Sequence, residues 1–197
     1  MKFVQFTSVL SCLMLSSAFT FAGPIVNVNA DGTNDIDNPA ITINFQPGDT
    51  FTLTPLGAAD GGAFNAWNSS GFSAGCNEFG NDCTNGWQWD VGVYIDGDTT
   101  NIGSFGISGL FETSDLALAN IRDALNGAFG APSFVIPNVP WSSLSFFIQD
   151  SPFADNLGGI SFMYSIEPGE GSVPLPGALA LITLGLAGLR WSLRNRV

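Results

Sequence analysis

The chain has 197 residues, 17 of them acidic and 5 basic, with no histidine and a net charge of −12. That balance repels phosphate backbones and excludes nucleic acid as a partner, and the missing imidazole removes the commonest general base and transition-metal ligand. Apolar residues make up 45%, enough to build a core in one domain between two terminal segments of distinct character.

At the N-terminus Lys2 precedes an apolar stretch over residues 3–15, followed by the small-residue run Ser16, Ser17, Ala18, Phe19, Thr20, Phe21, Ala22. These are the three zones of a secretory signal peptide, so residues 1–22 are predicted to be removed after Ala22. Gln5, Thr7, Ser8 and Ser11 interrupt the apolar stretch, which argues against a membrane anchor there.

The body then reads as β structure. Apolar runs at residues 24–29, 40–45, 50–55, 87–95, 104–111, 133–136, 143–148 and 159–166 are separated by Gly, Asn, Asp and Pro, which predicts eight strands. Ile41, Ile43 and Phe45, and again Phe51 and Leu53, alternate with polar residues. This is the period of a strand with one face on a core and the other in water. Asp96, Gly97 and Asp98 read as a turn between strands. One helix interrupts the series. Ser114 is placed to cap it, Leu116, Ala119, Ala124, Leu125 and Ala128 recur at helical spacing, and Gly127 and Gly130 mark its end.

Cys76 and Cys83 are the only cysteines left once the signal peptide is gone, and in an exported protein an isolated pair predicts one disulfide. Around it lie Trp67, Trp87 and Trp89 with Asn65, Asn68 and Gln88. Aromatic faces beside amides suit a sugar ring, and core tryptophans would give the same pattern. Two acidic loops are candidates for cations. In residues 31–38 the oxygens fall at alternate positions somewhat as in an EF-hand, although Ile36 stands where such a loop needs Gly and Thr42 where it needs an acid. That leaves metal binding and a plain solvated loop both open.

The second loop runs from Gln149 to Gly159 between two strands and carries Asp150, Asp155 and Asn156 with Ser151 and Pro152. Side-chain and carbonyl oxygens on a tight loop are the hard ligands that Ca2+ takes; a β-turn capped by Asp150 and Asn156 is the alternative. The strand, loop and strand resemble the calcium loop of the jelly-roll, calcium-dependent galactose-binding lectins of bacteria, in which the metal bridges protein oxygens and sugar hydroxyls. The resemblance covers about 20 residues; it implies a metal site at Asp150, Asp155 and Asn156 with a carbonyl near Pro152. Asp155 stands where those lectins have Asn, and the galactose-holding His has no counterpart in this chain. The expected fold is therefore all-β, a jelly-roll-like antiparallel β-sandwich with one short helix, spanning residues 23–166 and followed by a short linker at 167–172.

The last 25 residues carry Val173, Pro174, Leu175 and Pro176, then an uncharged stretch over 177–189, then Arg190, Arg194 and Arg196. The two prolines hold their neighbours extended. A transmembrane helix is expected over 177–193; counted from Leu175 to Leu193 it reaches about 28 Å against a bilayer core of about 30 Å, with Arg190 snorkelling and Trp191 at the interface. All seventeen acids and only Arg122 among the bases lie between the two terminal segments. The positive-inside rule then leaves the arginines cytoplasmic and the acidic body outside. Motif, apolar segment and basic tail together resemble the C-terminal sorting signal of PEP-CTERM proteins, with Leu175 in place of the commoner Glu. That resemblance implies export in a Gram-negative bacterium, handling by an exosortase-type processing enzyme, and anchoring at the inner membrane before passage to the cell surface or extracellular matrix.

Nothing in the chain has the form of a catalytic centre. There is no His, no free thiol once the disulfide forms and no serine elbow; seventeen acids pair by chance. The expected function is a non-catalytic, surface-directed protein binding carbohydrate or matrix polysaccharide with Ca2+. The alternatives are a structural matrix protein without a specific ligand and a carboxylate-dependent glycan-processing enzyme.

Overall fold

A computed structural model describes residues 23–169; the signal peptide expected at 1–22, residues 170–172 of the expected linker and the sorting signal expected at 173–197 lie outside the described residues. The strands are Ile25–Asn29 (β1), Ile41–Asn44 (β2), Thr50–Leu56 (β3), Trp67–Asn68 (β4), Trp87–Gln88 (β5), Asp90–Ile95 (β6), Asp98–Gly106 (β7), Phe134–Ile136 (β8), Ser143–Phe147 (β9) and Leu157–Glu167 (β10). A single helix, Ser114–Phe129 (α1), lies between β7 and β8. All strand pairs are antiparallel.

They form two sheets. In one, β10 holds β1 on one edge and β3 on the other, β8 pairs with β3, and the short β4 and β5 extend the sheet from the start of β10. In the other the order is β2-β9-β6-β7. The sheets face each other across one core, because a strand with period-two burial has a single apolar face to hide. Val26, Val28, Phe51, Leu53, Ile160 and Phe162 come from the first sheet, and Ile43, Val91, Val93, Leu144 and Phe146 from the second. Phe146 sits at the centre, with its ring 4.9 Å from Phe162, 5.9 Å from Phe105 and 6.3 Å from Phe51. The described residues thus form an antiparallel β-sandwich with one α-helix.

Two strand assignments and one helix cap need correction. The stretch 87–95 is two strands, broken at Trp89. The strand expected over 104–111 lies at Asp98–Gly106. Its polar residues Asp98, Thr99, Thr100 and Asn101 are exposed on the edge of the sheet, where charge and hydroxyls discourage further pairing. The turn before it is as expected, with Asp96 and Gly97 both at positive φ (54° and 76°), the geometry of a tight two-residue hairpin. The helix cap is Thr113 rather than Ser114: its side chain accepts from Leu116 N at 3.2 Å. Gly130 closes the helix in the left-handed conformation, φ 72°. The helix buries Ala117, Leu118, Ile121 and Leu125, and Arg122, the one base of the described residues, bonds Pro55 O and pairs with Asp60.

The topology sorts the connections by length. At one end the strands are joined by the tight segments 45–49, 96–97 and 137–142. The other end carries the long connections 30–40, 57–89, 107–133 and 148–156, including α1 and the Cys76–Cys83 disulfide. β10 runs from the long-loop end to the short-loop end. Its eleven residues span roughly 33 Å at about 3.3 Å per residue. Gly169 N meets Asp49 Oδ1 at the far end, so the chain leaves towards residue 170 on the side away from the long loops.

Candidate functional site at the long-loop end

The first acidic loop is built largely from its own side chains. Asp31 Oδ1 accepts from Thr33 N at 3.0 Å, and Asp35 Oδ1 accepts from Asp37 N at 3.1 Å and Asn38 N at 2.9 Å. Asn38 Nδ2 donates to Thr33 O at 2.7 Å. These are turns in which a short polar side chain satisfies backbone N–H groups two or three residues on. The Thr33 hydroxyl and N–H hold the Asp31 carboxyl below the usual carboxylate range. The oxygens that suggested an EF-hand are therefore partly spent on the loop's own backbone.

The two acidic loops meet. Ile148 N donates to Asn34 O at 2.9 Å, Asn156 Nδ2 donates to Ala30 O at 2.9 Å, and Gly32 lies against the Phe153 ring. Between them is a cleft of about 370 Å3 lined by Asp35, Ile36, Asp37, Ile102, Phe147, Ile148, Gln149, Asp150, Ser151 and Phe153. Its floor belongs to the outer face of the second sheet. Phe147 alternates with the core residue Phe146 and so points away from the core, where it packs on Tyr94 at 5.8 Å and lies over Gly92. The result is an apolar floor with three carboxylates around it. Among the described residues, Asp37 and Asp150 make no side-chain hydrogen bond or ion pair.

Of the residues expected to hold calcium, Asp150 lines this cleft, whereas Asp155 and Asn156 do not. Asp155 is exposed at the end of the short 3-10 turn Phe153–Asp155. Asn156 is only 7% exposed; its nitrogen end ties β10 to the end of β1, and its Oδ1 is buried without a hydrogen-bond partner. A calcium that bridges protein oxygens to sugar hydroxyls needs those oxygens at the solvent boundary. The set Asp150, Asp155 and Asn156 does not fit that role.

The tryptophan expectation is corrected in part. Trp89 is fully buried and Trp67 is 3% exposed, so neither ring offers a face to a sugar; both are core. Trp87 is half-buried, and its backbone bridges to Phe111. Cys76 and Cys83 form the expected disulfide at a sequence separation of 7. It braces a loop that holds Phe79 73% exposed.

Asp90, which sequence reasoning missed, is the one carboxyl among the described residues that is pushed upward. Burial raises its pKa, and the Trp67 indole N–H at 3.2 Å from Oδ1 only partly offsets this. Because the folded-state value lies above the ordinary 3.8, the folded chain keeps its proton longer than the unfolded chain. Stability is therefore lost as pH rises from the unfolded value through the folded one. Asp90→Asn retains an acceptor for Trp67 without the charge. Thermal melting of the full chain is expected to give a higher Tm for this variant at pH 7, with the difference closing below about pH 3.8. A lower Tm at pH 7 would contradict the assignment.

Comparison with protein-family models, curated proteins and solved structures finds no match for this chain.

Proposed function

We propose that this is an exported, surface-directed and non-catalytic module of jelly-roll type that binds polysaccharide at its long-loop end. The order β1-β10-β3-β8 in one sheet and β2-β9-β6-β7 in the other supports the jelly-roll reading. With the short β4 and β5 set aside, the first strand lies beside the last and successive strands alternate between the two sheets except at the β6–β7 hairpin, as in jelly-roll lectin domains. The observation that carries the functional reading is the polarity of the molecule. The cleft opens at the end where the loops cluster, while the chain departs towards the sorting signal from the end where Gly169 meets Asp49. A module tethered by residues 170–197 would hold the cleft outward. The PEP-CTERM-like tail and the signal peptide supply the route, with the membrane and an exosortase-type enzyme as processing partners.

The proposal includes no calcium, since the implied donor set does not fit. The reading is of a binding module; among the described residues the one carboxyl with a raised pKa, Asp90, faces Trp67 and does not line the cleft. The test is retention of the full chain, in detergent, on a broad glycan array. Binding is expected to be blocked by Ser151→Trp at the cleft and unaffected by Asp98→Asn at the opposite end of the sandwich. Absence of retention, or equal retention by both variants, counts against the proposal.

A further inference from the structure

We infer that the ligand of this cleft carries its own positive charge: a polysaccharide with free, protonated amines on its sugar rings. The inference rests on the binding reading above and adds the chemical class. Asp35 and Asp37 approach from the β1–β2 connection and Asp150 from the β9–β10 connection, and no basic residue lines the cleft. Arg122, the one base among the described residues, is engaged with Asp60 and Pro55 in the groove beside α1. Three carboxylates that line one concavity, with no base beside them, give it a negative potential. A uronate-bearing polymer is repelled by that field, and a neutral one gains only hydrogen bonds.

An amino sugar matches both parts of the lining. Its ammonium group meets carboxylates that are otherwise unpartnered at Asp37 and Asp150, and its apolar ring face rests on the accessible side chains of Ile102 and Phe153, which Phe147 supports from beneath. A volume of about 370 Å3 is at the small end for ligand sites and fits a short stretch of sugar rather than a long segment. Asp35 already caps two backbone N–H groups, so it holds the loop while Asp37 and Asp150 meet the ligand.

The experiment titrates the full chain in detergent with glucosamine oligomers and with their fully N-acetylated counterparts, in mildly acidic buffer where the sugar amines are protonated. The glucosamine oligomer is expected to bind at least about tenfold more tightly. That preference is expected to shrink with added salt, to persist in a chelator, and to vanish in Asp37→Asn/Asp150→Asn. If the double variant melts early, each single variant and the salt dependence of the unaltered chain carry the same test. Equal affinity for the two oligomers, a preference that survives both substitutions, or a preference abolished by the chelator overturns the inference. Should glycans be retained without any preference for amines, the binding reading stands and only the charge assignment falls. If no glycan of either kind is retained, both fall.

Discussion

Phe146→Ala is expected to destabilise the protein by about 3–5 kcal/mol, the range for removing a fully enclosed aromatic ring from a core that cannot collapse around the gap. Phe146 is completely buried, and its ring contacts come from both sheets: Phe51 and Phe162 from the first, Phe105 from the second. The loss is therefore of the packing that joins the layers and is not confined to one strand. Because domains of this size are stable by about 5–15 kcal/mol, the variant should unfold at far lower urea, with its midpoint showing most of the effect. Phe79→Ala is the matched control. That ring is 73% exposed on the disulfide-braced loop, and its removal should change stability by about 0.5 kcal/mol or less. Equal shifts for the two variants would mean that the sandwich core is wrongly placed.

Gly159→Ala should have the second-largest effect, on the order of 3 kcal/mol, at the upper end for an overpacked site. Gly159 pairs with Asn29 where β10 emerges from the second acidic loop. A Cβ there would stand 2.4 Å from Val28 O and 2.7 Å from the Phe64 ring. The ring can turn aside, but the carbonyl belongs to β1, so the methyl group must push two paired strands apart. The same strands carry the Ala30–Gly158 and Asn156–Ala30 hydrogen bonds that hold the long-loop end together. Loss of glycan binding is therefore expected to accompany the loss of stability. Gly97→Ala is a different case, with nothing within 4 Å of the added carbon. Its effect is limited to backbone strain at φ 76°, about 1 kcal/mol. Urea titration of the three proteins separates the two mechanisms, and a Gly159→Ala midpoint at or above that of Gly97→Ala would contradict the close approach of β1 and β10.

Much of the sandwich was legible because its strands alternate. Ile41 and Ile43, or Phe51 and Leu53, announce a buried face by spacing alone, and the eight expected stretches correspond to the eight longer strands. The exceptions have local causes. β7 begins with Asp98, Thr99, Thr100 and Asn101 and lies on an edge with no apolar face to report, so its position was drawn towards the apolar residues that follow. β4 is two residues long, too short for any period. The helix cap fell one residue early because Thr113 and Ser114 have the same chemistry, and only the bond to Leu116 N distinguishes them.

The candidate site was legible in pieces. Both acidic loops stood out by composition, yet nothing local says that they face each other. The contact depends on Ile148 N reaching Asn34 O just beyond the paired ends of β9 and β2, which requires that two strands about 100 residues apart in the chain lie side by side. Tryptophans at core and surface look alike in a chain, so Trp67 and Trp89 were offered as sugar faces although they are buried. Asn156 was read as a metal ligand, but its partner is a carbonyl 126 residues away. Asp90 gave no signal at all, because a raised pKa comes from burial and Trp67, and both arise only on folding.

The proposed outward orientation of the cleft is tested most directly by giving it a thiol. Ser151→Cys places one at an exposed cleft position, while Cys76 and Cys83 are already joined and do not react. A membrane-impermeant maleimide applied to intact cells is expected to label this variant, and preincubation with the bound glycan to protect it. Labelling that appears only after lysis would contradict export with the cleft turned to the outside.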